Sequence, residues 1–66
     1  MKLTRRNIEL AYQHLSIFRN QLASMAEDYP IPSGGRQAKA IVGNLVATEE
    51  LIDMALDNFE VIMGLL

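Results

Sequence analysis

A chain of 66 residues holds one domain at most, and its core is thin, because so short a chain buries only about 60% of the surface it exposes when unfolded. With no cysteine and one histidine it has no disulfide, no thiolate metal site and no multi-ligand zinc site, which leaves association between chains as the source of further buried area. An apolar content of 50% excludes a disordered chain, and a net charge of −2 argues against nucleic acid or an anionic membrane as partner.

The chain opens on Lys2, Arg5 and Arg6, but no uninterrupted apolar run follows them, so no signal peptide is read there. The first helix is expected at roughly residues 4–28, with Thr4 as its N-cap. Ile8, Ala11, Leu15, Phe18, Leu22, Met25 and Tyr29 follow one another at alternating steps of 3 and 4, which keeps one narrow face apolar. Leu3, Leu10 and Ile17 recur every seven residues on another side of the same helix.

Tyr29-Pro30-Ile31-Pro32-Ser33-Gly34-Gly35 then breaks the helical pattern with two prolines and two glycines, and a loop is expected over 29–34. A second helix is expected at roughly residues 35–65, with Ser33 as a candidate cap. Its seam reads Ala38, Ile41, Leu45, Thr48, Ile52, Ala55, Phe59, Ile62 and Leu66. Thr48 alone interrupts it, and a threonine hydroxyl can bond back to its own helix. Asp53, Asp57 and Glu60 make this helix a poor membrane span, and a cytoplasmic protein is the expectation.

Two such helices on a short loop should pack as one antiparallel hairpin domain over residues 1–66. One partner helix cannot cover all their apolar surface. On the second helix Ala47, Leu51, Met54, Val61 and Leu65 form another stripe, about 110° around from the seam. The fold expected is therefore all-α: an antiparallel helical hairpin that self-associates into a four-helix bundle or a higher oligomer. Asn44 and Asn58 on the second stripe either set the register of that assembly or lie at its solvent edge. Glu50, Asp53, Asp57 and Glu60 make an acidic stripe, read as a solvated face or as a seat for a cationic partner.

Two groups of residues are candidate ligand sites. Gly34 and Gly35, followed by Arg36 and Lys39, would open the second helix toward an anion. Backbone N–H groups and the helix dipole favour negative charge there, and arginine grips phosphate with two donors. The spacing is not that of a P-loop, and the alternative is a hairpin turn whose cations balance Glu27 and Asp28. Arg5, Tyr12 and Arg19 are seven apart and share a face, where the tyrosine could stack on a base while the arginines meet phosphate; the alternative has Tyr12 flanking the core. His14 has no triad around it, and the adjacent Glu49 and Glu50 point in different directions on a helix, so the reading is non-catalytic, with no cofactor.

The antiparallel hairpin with its proline-containing loop resembles two groups of small proteins. One is the plasmid RNA-binding helical hairpins that dimerise into four-helix bundles. The other is the helical-hairpin sponges of bacteriophages, which sequester nucleotide immune signals. The second resemblance rests on Glu27-Asp28-Tyr29-Pro30 and a helix opening with Arg36. The chain departs from that pattern at Gly34-Gly35, and at Leu51-Ile52-Asp53-Met54 in place of an aromatic and alanine-rich segment. The resemblance implies sequestration of a phosphate-bearing signalling nucleotide, of phage anti-defence type. The rival functions are a regulator or inhibitor acting on a protein target, and an RNA-binding hairpin, which the acidic balance opposes.

Overall fold

The computed structural model describes residues 1–28 and 35–66. Helix α1 runs Arg5–Asp28 and helix α2 runs Arg36–Leu65, and the two pack against each other. Contacts between them pair Tyr12 with Glu60 and Arg19 with Glu49 and Asp53, so positions rise along α1 as they fall along α2. The helices are therefore antiparallel, as a hairpin requires.

Local chemistry explains the start of α1. The Thr4 hydroxyl accepts a hydrogen bond from the Asn7 backbone N–H at 3.1 Å, which satisfies one of the donors a helix start leaves without a partner. The Asn7 side chain reaches back and donates to the Lys2 carbonyl at 2.7 Å, tying the leading residues to the first turn. At the start of α2 the capping residue is Gly35, in an extended conformation and with no side-chain cap. The expected cap Ser33 lies outside the described residues, as do Tyr29 and the rest of 29–34. Thr48 does bond back, its hydroxyl donating to the Asn44 carbonyl at 2.7 Å.

The core sits in a single line between the helices and is small. Among the described residues Leu22, Ala38 and Ile52 are buried, and no side chain is fully enclosed. The rod measures 49 × 17 × 15 Å, with a radius of gyration of 15.3 Å. A compact chain of this length would have a radius near ~11 Å.

The seam differs in phase from the sequence expectation. Its backbone positions hold: Leu15 and Leu22 on α1, and Leu45, Ile52 and Phe59 on α2, all face inward. Ile8 and Ala11 on α1, and Ala38, Ala55 and Ile62 on α2, are covered as well. Phe18, Met25, Ile41, Thr48 and Leu66, expected inside, are exposed. Tyr12, Arg19 and Ala26 on α1, with Val42, Glu49 and Leu56 on α2, take the partly covered places instead. The physical reason is the ion-paired group around Arg19: the long stem of an arginine covers apolar surface while its head stays at an acid, so the seam can run beside it.

Candidate interaction surface

The hairpin has two unlike sides. On one side Arg19 donates through Nε to Asp53 Oδ1 at 3.1 Å and through Nη2 to Asp53 Oδ2 at 3.4 Å. The same Nη2 lies 3.9 Å from Glu49 Oε2. The Asp53 carboxylate, as hydrogen-bond acceptor and as neighbouring charge, holds the Arg19 guanidinium above its ordinary range, against a small opposing effect of burial. About two turns along α1, the Tyr12 hydroxyl donates to Glu60 Oε1 at 3.3 Å. The Glu60 charge raises the Tyr12 phenol above its ordinary value of 10.0, with burial, the hydrogen bond itself and Asp57 adding to it. Arg5 pairs with Glu9 on its own helix at 3.4 Å.

These contacts give Arg5, Tyr12 and Arg19, read as a candidate ligand-binding row, partners within the chain. The three do share a side of α1, as their spacing of seven demands. Their donors, however, are directed at Glu9, Glu60, Glu49 and Asp53 of the same chain. A phosphate would have to displace carboxylates already in place. The acidic stripe of α2 is correspondingly divided: Asp53 and Glu60 serve the hairpin, while Glu50 and Asp57 face solvent. Among the described residues Lys2, Arg5 and Arg6 make no ion pair with the acidic end of α2; the polar cross-helix contact nearest that end is Tyr12 with Glu60.

The other side carries few ionisable groups along its length. With 3.6 residues per turn, Phe18, Met25 and Leu10 of α1 and Ile41, Thr48 and Leu51 of α2 fall on the side turned away from Arg19 and Glu49. All six are exposed. Within that arc His14 lies between Leu10 and Phe18, and Arg6, Asp28 and Arg36 lie near the edge, toward the ends of the two rods. An open groove of about 350 Å³ lies here, lined by Gln37, Ala40, Ile41, Asn44, Leu45 and Thr48. Asn44 uses one amide hydrogen on the Ala40 carbonyl, at 2.8 Å.

At the start of α2, Arg36 and Lys39 are exposed. No ion pair among the described residues joins them to Glu27 or Asp28. Gly35 stands at the cap, and Gly34 lies outside the described residues. Cations at a helix start run against the helix dipole by about 0.3–1 kcal/mol each, so their position there does not serve the stability of the helix.

Among the described residues no helix is long and apolar enough to cross a membrane, and no three acidic or histidine side chains stand together as metal ligands. Comparison with protein-family models, with curated proteins and with solved structures finds no match to this chain.

Proposed function

We propose that this chain is a non-catalytic binding protein, a small regulator or inhibitor, whose working surface is the uncharged side of the hairpin. The observation that carries the reading is the exposure of Phe18, Met25, Ile41 and Leu51 on one continuous side, in a chain whose own core encloses no side chain completely. Exposed aliphatic and aromatic groups on parallel stripes of two helices fit other helices, which can lay their ridges into the groove beside Ile41 and Leu45. The polar groups around the groove, Gln37, Asn44 and Thr48, are neutral, so they fix register by hydrogen bonds rather than by charge. The test is capture by the immobilised chain. A stoichiometric helical partner, lost when Phe18→Glu bait is used, is expected; failure of the chain to bind any protein, itself included, would remove this reading.

A second reading keeps the phosphate-bearing ligand, such as a signalling nucleotide to be sequestered, and places it at the start of α2. Support comes from Arg36 and Lys39, exposed beside a glycine cap and outside every ion pair of the described residues. Calorimetry with a panel of mononucleotides and cyclic dinucleotides tests it. Heat with one member, lost in Arg36→Ala/Lys39→Ala, is the expected result, and no heat with any member would remove it.

A further inference from the structure

We infer that the occupant of the uncharged side is a second copy of the same chain, packed about a two-fold axis so that four helices enclose Phe18, Met25, Ile41 and Leu51 of both protomers. The inference deepens the reading of this side as a binding surface and rests on it.

Three observations select a second copy over an unlike partner. The first is area. A compact protein of 7.4 kDa exposes about 4,200 Å², whereas this chain exposes 5128 Å². The excess, roughly 900 Å², matches what each partner covers in an interface of standard size.

The second is charge. A two-fold contact sets a surface against itself, so any acid or base near the axis meets its own kind. Along this side the ionisable groups are His14, between Leu10 and Phe18, with Asp28 and Arg36 at the loop end and Arg6 at the far end, so acids and bases are sparse and gather toward its ends. The charges that would recognise an unlike partner are instead gathered on the opposite side, where Arg19, Glu49 and Asp53 already hold one another.

The third is shape. The stripe runs from Leu3 and Leu10 along α1 and from Ile41 to Leu65 along α2, most of the length of a 49 Å rod. A partner of equal length and like form covers it end to end. A short peptide would leave much of it wet.

The test uses two exposed aliphatic residues that differ only in side. Leu51 is 64% exposed on the uncharged side, and Val61 is 62% exposed away from it. Leu51→Lys should weaken self-association at least tenfold by light scattering behind size-exclusion chromatography, while Val61→Lys leaves it unchanged. Equal effects of the two changes would overturn the assignment of the face.

A measurement on the unaltered chain covers the case in which Leu51→Lys does not fold. Met25 is 50% exposed on the uncharged side of a single hairpin, and Met1 is fully exposed. Under peroxide, Met25 should oxidise several-fold more slowly than Met1 at protein concentrations where the assembly forms, and should gain rate on dilution. A Met25 rate that does not change with concentration would overturn the second copy. It would leave the wider reading standing, since an unlike helical partner can still be captured by the immobilised chain.

Discussion

Arg19 on α1 and Asp53 on α2 form a two-point contact, with Nε and Nη2 of the one donating to Oδ1 and Oδ2 of the other. It is the strongest polar link between the helices and it fixes their register. Asp53 is half exposed, so solvent screens the pair and its coupling in a double-mutant cycle should be small. Glu49 is different: its side chain is 15% exposed and Arg19 is its cation. Arg19→Ala should therefore lower the urea midpoint more than Asp53→Asn does at fixed protein concentration. Arg5→Ala breaks a well-exposed pair within one helix and should cost under ~0.5 kcal/mol. A reversed order would show that the Arg19 group does not hold the hairpin.

Tyr12 and Glu60 give a dependence on alkaline pH. The neutral phenol donates to the Glu60 carboxylate, whereas the phenolate would repel it, so folding raises the Tyr12 value above 10.0. A group raised by folding contributes stability that is complete below its unfolded value and is lost as pH climbs through the folded one. The contribution of this contact should thus be intact at neutral pH and should fade above about pH 10, the ordinary tyrosine value. In Tyr29→Phe protein, where Tyr12 is the remaining tyrosine, ultraviolet titration should place its midpoint above that of free tyrosine. Glu60→Gln should bring the midpoint down. An unchanged midpoint in Glu60→Gln would mean that the two side chains do not meet.

The short core makes single deletions severe. Leu22 and Ile52 are two of its three buried side chains. Leu22→Ala should cost about 2–5 kcal/mol, a large part of what a chain of this size has. Far-ultraviolet circular dichroism should show its melting well below that of the parent. Phe18→Ala removes a larger side chain from an exposed position, and in the isolated hairpin it should cost far less than Leu22→Ala. In the paired form Phe18 is covered, so its cost should grow with protein concentration.

Thr4 is a smaller and sharper test of the first turn. Its hydroxyl serves the Asn7 N–H, and Thr4→Ala should cost about 1 kcal/mol. Thr4→Asp keeps an acceptor and adds a charge that suits a helix start carrying Arg5 and Arg6, so it should restore or exceed the parent stability. Amide exchange at Asn7 should rise in the alanine variant only.

The helices themselves were legible in the sequence because nothing between Arg5 and Asp28, or between Arg36 and Leu65, opposes helical spacing except isolated glycines. Thr4 as cap and Thr48 as back-bonding residue followed from their hydroxyls alone. The phase of the seam did not follow. A step pattern of 3 and 4 fits both Phe18 and Arg19, and ranking by hydrophobicity chooses Phe18. The choice reverses because Glu49 and Asp53 stand opposite Arg19, and that juxtaposition needs the antiparallel register, not the composition of either helix. The same blindness applied to Arg5, Tyr12 and Arg19. Their shared side was readable, but the acids that occupy them lie some forty residues away along the chain for two of the three, and within one turn for Arg5.

Sedimentation equilibrium of the unaltered chain, from low micromolar to near-millimolar concentration, bears most directly on whether the uncharged side is a working surface that the protein covers with itself. A mass rising from 7.4 kDa to a stable plateau at twice that value is the predicted result. A mass that stays at 7.4 kDa across the whole range, with full helicity, would contradict it.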